Sequence, residues 1–316
     1  MPITLEQAKV GMSNKIDQTV IEMFQRKSEI LNKMVFDDTI SPQGGSTLAY
    51  TYQMELTPSL AAGRAINSEY VPGEALRTDK TTKLKIFGGS YEIDRVIART
   101  SSARLNEVTY QTEKKVEATI NLFHYMLING NSETNALQFD GLDKLLTDTT
   151  TEFDGESLDL TTMDEDKGHA LISKIDEARA KMIRKPDMII VNSKTKLKLQ
   201  EAARRVGYLS LNEGAFGNQA AFYDGIEIYD PGQYWDGSKL VDIVPVTTGA
   251  SDIYLVCFGQ NELVGLSPEG NKLVETHLPD FTLAQAVHKG DVEAVWGLAL
   301  KNTRAAAVIR DVKVTA

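Results

Sequence analysis

The sequence predicts an α+β fold built around one long helix, and three patterns support this prediction. Apolar residues recur at steps of three and four along residues 105–129, which is the spacing of a helix with a buried stripe. Residues 47–56 alternate between apolar and polar side chains, as a strand with one solvent-facing side does. Residues 167–202 contain a helix, a short apolar strand and a second helix in succession, which indicates a mixed α/β lobe.

The helix from Leu105 to about Asn129, which we call the spine helix, carries its apolar stripe in its second half. The stripe consists of Val116, Ile120, Phe123 and Leu127. The first half is charged and needs water. At ~1.5 Å per residue the helix is about 38 Å long, enough to bridge two lobes. We expect Gly130 to end it in the left-handed conformation that glycine adopts readily.

Two alternating segments predict an extended two-stranded arm. The first strand covers residues 47–56, and the return strand covers residues 84–93 with a bulge at Gly88-Gly89. Residues 57–80 between them are poor in large apolar side chains and predict a mobile tip. Because an isolated two-stranded ribbon is marginal in water, we expect the arm to rest on another molecule. A long disordered surface loop is the alternative interpretation.

The remaining elements follow in chain order. Residues 5–34 predict an amphipathic helix that lies on the body or on a neighbouring subunit, and residues 41–46 predict a turn. In the second lobe we expect a helix at 167–184, a buried strand at 188–191 and a helix capped by Asn192 or Ser193. A flexible stretch at 207–218 precedes strands at 226–229 and 253–258. Two terminal strands at 291–300 and 305–314 should form a hairpin or meander under the spine helix.

The composition is that of a folded soluble protein, with 42% hydrophobic and 25% charged residues in a chain of 316. A formal net charge of −10 argues against a sequence-reading nucleic-acid binder, while leaving room for a local basic face. The single cysteine, Cys257, excludes an intrachain disulfide framework, which suits a reducing cytoplasm. We expect no signal peptide and no membrane partner, since no apolar run approaches the ~20 residues of a membrane span.

Signatures of catalysis are absent from the sequence. It contains no Walker A loop, no G-x-G-x-x-G, no G-x-S-x-G and no H-E-x-x-H. The four histidines are far apart and none is at metal-ligand spacing from another: His124, His169, His277 and His288. We expect His124 to be a core or interface histidine and Cys257 to be an inert buried thiol. We therefore predict no catalytic residue, no cofactor and no metal site.

The charged segments do not change this prediction. An EF-hand loop with Gly155 in sixth position would begin at Thr150 and end at Thr161. Acidic residues are required at both positions, so this segment is not an EF-hand. Carboxylates are numerous enough for a glycosidase-type pair, but none has a context that predicts a raised pKa. Salt bridges to an adjacent subunit are the sharper interpretation of the basic residues around the arm, a solvated face is the default, and a nucleic-acid groove is less favoured. These basic residues are Arg77, Lys80, Lys83, Lys85, Arg95 and Arg99.

The order of parts resembles the HK97-fold major capsid proteins of tailed bacteriophages. The spine helix ends in Leu127-Ile128-Asn129-Gly130-Asn131, followed by Phe139-Asp140-Gly141-Leu142, which is similar to a junction of that family. The segment 185–193, with its Pro-Asp, apolar strand and Asn, looks like the junction in the family's A domain. The resemblance covers nearly the whole chain.

The resemblance implies a domain organisation and a function. It divides the chain into an N-terminal helical arm (1–40), an extended E-loop with flanking strands (41–100), a P domain with the spine helix (101–150), an A domain (151–280) and P-domain terminal strands (281–316). It implies a structural protein, not an enzyme, whose hexamers and pentamers form an icosahedral shell around double-stranded DNA. The DNA is packaged without sequence specificity, and the shell is a virion capsid assembled in the host bacterial cytoplasm.

The resemblance also implies partner proteins, and two other functions remain as alternatives. Portal and decoration proteins are expected, and a separate scaffolding protein, because the forty residues before the arm leave no room for a fused one. Lys80, Lys83 and Lys85 lie in the predicted arm, but no Lys, Asn and Glu match the family's cross-linking chemistry, so we assign no such site. An encapsulin-type nanocompartment shell has the same fold and holds enzyme cargo. The rival of another class is a soluble α/β hydrolase, which would be a monomer or small oligomer with a deep pocket.

Overall fold

A computed structural model of the chain describes residues 28–38, 48–57, 59–99, 103–206, 209–213, 219–268 and 274–315. The predicted α+β class is confirmed. The helices are α1 (Glu29–Lys33), α2 (Arg95–Arg99), α3 (Ala103–Asn129), α4 (Leu142–Leu145), α5 (Glu165–Lys181) and α6 (Ser193–Val206), with a 3-10 turn at Thr303–Ala305. The predicted turn at 41–46 and most of the predicted N-terminal helix lie outside the described residues.

The strands form two large sheets and two ribbons. In chain order they are β1 (Phe36–Asp38), β2 (Ala49–Thr57), β3 (Leu76–Lys83), β4 (Lys85–Asp94), β5 (Glu152–Asp154), β6 (Met188–Ile190), β7 (Leu209–Glu213), β8 (Gln219–Tyr223), β9 (Ile226–Tyr229), β10 (Gln233–Trp235), β11 (Leu240–Asp242), β12 (Val246–Thr247), β13 (Ala250–Val256), β14 (Leu263–Ser267), β15 (Glu275–His277), β16 (Val287–Leu300) and β17 (Ala306–Lys313). A five-stranded sheet has β16 at its centre, paired with β4, β14 and β15. The ribbons are β2–β3 and β10–β11.

The spine helix is confirmed as α3, and its predicted stripe is buried along its whole length. The stripe packs on the five-stranded sheet, because Phe123 meets Trp296 of β16 edge-on with ring centroids 4.8 Å apart. Phe87 of β4 stacks on Phe123 at 6.4 Å. Burying several aromatic side chains on one helix face supplies much of the hydrophobic stabilisation of this part of the molecule.

Gly130 ends the spine helix for a reason other than the one predicted. It does not adopt a positive φ, so the expected left-handed cap is wrong. Instead the chain doubles back against it: the amide of Gly141 donates to the Gly130 carbonyl at 2.8 Å. A Cβ on Gly130 would collide with the carbonyl oxygens of Phe139 and Met126. Glycine is required here by the close approach of two backbones.

The second lobe is built on an eight-stranded sheet whose main path runs β5-β17-β13-β6-β9-β8-β7, with β12 paired to β13. We call this sheet together with α5 and α6 the sheet lobe. The predicted helix and buried strand are confirmed: Leu171 and Ile175 of α5 are buried, and so is every residue of β6. Asn192 caps α6, since its Oδ1 accepts the amide of Lys194 at 3.0 Å.

The predicted hairpin of the terminal strands is wrong. β16 belongs to the five-stranded sheet, whereas β17 pairs with β13 and β5 in the sheet lobe, so residues 281–316 do not form one sheet. The 3-10 turn between them redirects the chain: Asn302 caps it by accepting the Arg304 amide at 2.9 Å. The carbonyl of Ala305 then accepts from the Cys257 amide at 2.8 Å, which starts the pairing with β13.

The stretch predicted to be flexible, residues 207–218, contains regular structure in its described part. Residues 209–213 form β7, which pairs antiparallel with β8. Leu209 and Leu211 alternate with polar residues, but this pattern covers only a few residues between Gly207 and Gly214, and the glycines favour a loop.

Candidate assembly surface

The arm is a two-stranded ribbon formed by β2 and β3. The strands pair antiparallel from Ala49 opposite Lys83 to Thr57 opposite Leu76. The first strand lies where the sequence predicts it, but the predicted return strand is wrong. Residues 85–94 form β4, which pairs with β16 from Lys85 to Asp94 and so belongs to the body. Alternation of apolar and polar residues predicts that a segment is a strand, but it does not indicate which other strand the segment pairs with.

The predicted bulge at Gly88-Gly89 is also wrong, because the register of β4 on β16 is continuous through both residues. The glycines serve close packing instead. A Cβ on Gly88 would collide with the carbonyl oxygen of Val292, and one on Gly89 would meet the side chain of Lys115 of the spine helix at 2.8 Å. The pair therefore lets β4 lie tightly between β16 and the spine helix.

The base of the arm is anchored to the body. Tyr52 is buried in a small apolar cluster with Leu84, Val264, Leu266 and Ala299. Tyr50 donates its hydroxyl to Asp37 at 2.9 Å, and the Lys301 ammonium lies 2.9 Å from the same carboxylate. Burial alone would raise the pKa of Asp37, but the hydrogen bonds from Lys301 and Tyr50 outweigh it and hold the pKa below its ordinary value.

The tip of the arm, residues 59–75, has a different environment. It has no strand or helix and is exposed throughout. Its large apolar side chains face solvent: Leu60, Ile66, Tyr70 and Val71, with Ile66 91% exposed. The hydrogen bonds described for the tip stay within it, such as the one from the Ser59 hydroxyl to the Gly73 carbonyl at 3.1 Å. Four large apolar side chains on one short loop form a surface that typically contacts another molecule.

Comparisons with known proteins establish which fold this is. No protein-family model matches the sequence, and no curated protein matches it significantly. Solved structures do match. The encapsulin of the holo-SrpI encapsulin complex from Synechococcus elongatus PCC 7942 has a TM-score of 0.60 at 15% identity, over 91% of this chain and 88% of that chain. The capsid of a native GTA particle has a TM-score of 0.58 at 10% identity, over 90% of each chain.

The capsid of Myoviridae phage XM1 matches with a TM-score of 0.54 at 9% identity, over 89% of this chain and 90% of that chain. The chain has the HK97 capsid fold. The predicted fold class is thus confirmed, including its long spine helix, extended two-stranded loop and mixed α/β lobe. At identities this low the likeness concerns the fold alone.

Within this HK97 fold, the basic residues predicted near the arm do not act as one group. Lys80 and Lys83 lie on β3 and form no ion pair with any other described residue. Lys85 lies on β4, outside the arm, and donates to the carbonyl of Ala136 at 2.6 Å. Arg77 makes a long contact to Gln53 across the ribbon, at 3.5 Å. The side chain of Arg99 lies outside the described residues.

The clefts beside the arm do not have the features of a hydrolase site. The larger one, about 750 Å³, is open to solvent and mixes Asp79, Asp140 and Glu133 with Lys80 and Lys144. Burial would raise the pKa of Asp140, but hydrogen bonds from Ser132 and Lys144 hold it below its ordinary value. A carboxyl group with a lowered pKa is ionised at neutral pH and is a poor general acid.

His124 and Cys257 lie in the core, as predicted. The Nε2 atom of His124 is 2.7 Å from the hydroxyl oxygen of Ser28, which caps α1. Burial lowers the pKa of His124 to about 4, so the ring is neutral at physiological pH. Burial raises the pKa of the Cys257 thiol to about 12, which leaves it unreactive.

The described residues contain neither a group of metal ligands nor a helix suited to a bilayer. In the part of the chain that the structure describes, no three His, Cys, Asp or Glu side chains are grouped so that they could hold a metal ion. Among the described helices, none combines the length and the hydropathy that crossing a bilayer requires.

Sequence reasoning missed the charged residue that joins the two parts of the fold. Arg310 on β17 binds Glu152 of β5 at 2.7 Å and Asp252 of β13 at 3.3 Å, and it also contacts Asp143 of α4. It therefore ties the turn after the spine helix to the sheet lobe. Its partners are 58 to 167 residues away in sequence, so no local pattern could indicate them.

Proposed function

We propose that this chain is a structural shell protein, the major capsid protein of a tailed bacteriophage. Its copies assemble as hexamers and pentamers into an icosahedral shell around double-stranded DNA. The observation that carries the proposal is the exposed apolar tip of the arm, which the subunit's own body does not cover. The capsid fold supports it, since structures with this fold include those of a GTA capsid and a phage capsid.

A second copy of the chain is the occupant that suits the arm. The base of the ribbon is fixed to the body through Tyr50 and Tyr52, whereas Ile66 and Tyr70 at the tip have no apolar partner among the described residues of the body. Burying apolar area contributes about 25 cal/mol per Å², so covering the tip stabilises the assembly rather than the subunit. We propose that residues 41–100 act as this E-loop and residues 151–280 as the A domain that meets its copies around symmetry axes.

The proposal includes further partners and a location. The net charge of −10 suits a container whose packaged DNA is not held tightly by its walls. A separate scaffolding protein, a portal and decoration proteins would complete the particle, a virion capsid assembled in the bacterial cytoplasm. We assign no catalytic, cofactor or metal residue to the chain.

Assembly of the purified chain tests the proposal. Sedimentation and negative-stain microscopy should find capsomers or shells for the wild type. Replacing the tip residues, as Ile66→Ser with Tyr70→Ser, should leave a folded subunit that stays unassembled, because both side chains are exposed in the subunit. Ile183→Ser is the matched control, an exposed apolar residue on the sheet lobe, 50% exposed. A wild-type chain that remains a monomer, or tip variants that assemble normally, would contradict the proposal.

Trypsin offers a second readout of the same contact. Arg64 lies in the exposed tip, so the free subunit should be cut there rapidly. In assembled particles a neighbouring copy covers the tip, and cleavage at Arg64 should slow by more than about tenfold if covering the tip suppresses its opening by ~1.4 kcal/mol. Equal cleavage rates in both states would mean that the tip remains uncovered.

An encapsulin-type shell is the second candidate function. It is favoured by the match to an encapsulin from Synechococcus elongatus, with a TM-score of 0.60. Particles isolated from the native organism separate the two functions. Nuclease-protected double-stranded DNA supports the phage capsid, and a stoichiometric enzyme inside DNA-free particles supports the encapsulin. Hydrolytic turnover by a discrete monomer would instead favour the hydrolase.

A further inference from the structure

The sheet lobe carries opposite charges on two separate surfaces. Residues 148–166 contain eight acidic residues and no Lys or Arg. Helix α6, in contrast, contains five basic residues and one acid. In a chain with a net charge of −10, a helix this basic needs an explanation.

Lys194, Arg204 and Arg205 of α6 are exposed, whereas Lys198 is partly buried and donates to the carbonyl of Thr161 at 3.1 Å. The helix packs against the lobe through Thr195, Leu199 and Ala202, which are buried. The opposite side, which we call the basic face, exposes Lys194, Leu197, Arg204 and Arg205, with Lys196 at its border. Arg205 pairs with the single acid, Glu201, at 2.9 Å. Lys194, Lys196 and Arg204 have no ion-pair partner among the described residues.

The acidic residues lie at the edge of the sheet. Strand β5 is the terminal strand of the main path, and the segment around it exposes Asp148, Asp154 and Glu156, which we call the acidic edge. None of the three forms an ion pair with a described residue. Two described cations contact this edge: Arg310 is directed to Glu152 and the interior, and Lys174 lies over the ring of Phe153.

The two surfaces do not pair within one copy. The main path of the sheet places β5 at one end and β7 at the other. Helix α6 contacts both β7 and α5, and no described ion pair joins Lys194 or Arg204 to Asp148, Asp154 or Glu156. One copy therefore does not satisfy both surfaces by itself. A head-to-tail row of copies can, because the basic face of each copy then meets the acidic edge of the next.

We propose that the basic face of α6 docks on the acidic edge of the neighbouring copy, forming a charge-complementary contact between sheet lobes around each ring. This inference rests on the proposed function, since it concerns how the shell subunits meet. A symmetric contact of two basic faces would be repulsive, so the charges favour a head-to-tail contact, the kind of contact from which a ring is built. Leu197, 63% exposed in the middle of the basic face, supplies an apolar centre for the interface.

A second copy suits the basic face better than nucleic acid does. The face covers about three turns of one helix and has no aromatic side chain on which bases could stack. A neighbouring copy offers three unpaired carboxylates on a rigid strand and its flanks, whereas the acidic edge of the same lobe repels a phosphate backbone.

Charge reversal tests the contact. The first variant, Lys194→Glu with Arg204→Glu, makes both surfaces acidic, and the second, Asp154→Lys with Glu156→Lys, makes both basic. All four side chains are exposed, so both variants should fold. Each alone should lower the assembled fraction by about tenfold or more, because like charges then face each other across the contact. Combining all four substitutions in one chain should restore assembly to within about twofold of the wild type.

Mixing the two variants gives a sharper readout. Acidic and basic copies can only alternate, and alternation closes a ring with an even number of members. The mixture should therefore form hexameric rings and no pentameric ones, as counted by microscopy or native mass spectrometry. Lys289→Glu, an exposed residue of β16 outside the sheet lobe, is the matched control and should assemble normally.

The outcomes separate this inference from the proposed function. Failure of the wild type to assemble overturns the proposed function. Normal assembly of both reversed variants overturns the charge contact and leaves the shell function intact. Loss of binding to a short DNA duplex by the first variant, with unchanged assembly, overturns the contact in favour of nucleic acid. If a reversed pair fails to fold, the neutral pair Lys194→Gln with Arg204→Gln measures the same fraction.

Discussion

The spine helix and the arm use their apolar residues in opposite ways. The helix buries Phe123 completely against Trp296 and Phe139, whereas the arm exposes 91% of Ile66 at its tip. The helix therefore stabilises the subunit, and the arm has little to contribute until another molecule covers it. The comparison shows that the residues that stabilise the subunit and the residues available for contact with another molecule lie in different parts of the chain.

The base of the arm is intermediate between these extremes. Tyr52 is buried like a core residue, but Tyr50 reaches the body through the charged pair of Asp37 and Lys301. Contact with the body is thus confined to the base of the ribbon, first at Tyr50 and then at Tyr52, and the tip beyond is fully exposed. Substitutions at successive points along this path should have successively smaller effects on the subunit.

The largest effect is expected in the spine helix. Phe123→Ala removes a fully buried ring from an aromatic cluster and should lower the free energy of unfolding by about 3–5 kcal/mol. Urea unfolding followed by circular dichroism measures the loss. A loss below about 1 kcal/mol would mean that the helix does not organise the core.

The buried histidine should give the next largest effect, as a dependence on pH. Since the pKa of His124 falls from 6.5 to about 4 on folding, the unfolded chain binds the proton more tightly. This stability is complete above pH 6.5 and is lost as the pH falls toward 4, by about 3 kcal/mol in total.

The variant His124→Gln isolates this contribution, because glutamine keeps a polar group near Ser28 and does not titrate. The difference in unfolding free energy between pH 7 and pH 4.5 should be about 2–3 kcal/mol smaller in the variant than in the wild type. The ring of Tyr229, 6.3 Å from that of His124, does not titrate in this window, since burial raises its pKa. Identical pH profiles would refute the assignment.

The anchor of the arm should have a smaller effect. Lys301→Met removes the cation that pairs with Asp37 and should cost about 1–2 kcal/mol, since a hydrogen bond to a partly buried charge is lost. Hydrogen exchange of the amides of β2 should accelerate by roughly tenfold. Lys289→Met, which removes an exposed pair with Asp291, is the control and should change stability by less than about 0.5 kcal/mol.

The smallest effect on the subunit is expected at the tip. Ile66→Ser alone should change the free energy of unfolding by less than about 0.5 kcal/mol, because the side chain has no neighbours on the body. Chemical denaturation at low protein concentration, where subunits are free, measures this. A destabilisation above about 1 kcal/mol would show that the tip contributes to the subunit core.

The sequence predicted the elements that carry strong periodic patterns. The stripe through Val116, Ile120 and Phe123 has the helical spacing, and β6 is a continuous apolar run of the kind buried on both faces. These elements are stabilised by burial of their own side chains, so the pattern and the structure have the same cause.

Pairing between strands was harder to predict because it depends on distant partners. Strand β3, with the sequence LRTDKTTK, has no apolar alternation and was assigned to the tip. The hydroxyls of Thr51 and Thr81 lie 2.9 Å apart across the ribbon. These two residues are 30 positions apart in the sequence, so no local pattern indicates that β3 pairs with β2. Strand β17 was assigned to a hairpin because the short connection after β16 suggested one.

The candidate surfaces, too, have features that the sequence predicts and features that depend on the tertiary structure. The arm could be predicted in part, because the alternation in residues 47–56 indicates its first strand and residues 57–80 have few large apolar side chains with which to form a core. The opposite charges of residues 148–166 and 193–206 are also visible in the sequence. Which of these charges remain unpaired on the folded subunit is not, since it depends on the tertiary structure.

The number of residue pairs between β2 and β3 sets how far the arm extends, and this length does not depend on the structure of the body. Removing two residues from each strand would shorten the ribbon by about 7 Å and leave every remaining side chain on its original side. The anchor at Tyr50 and the whole body would be unchanged. The reach of the arm can therefore change by the gain or loss of paired residues in β2 and β3, without any change in the subunit core.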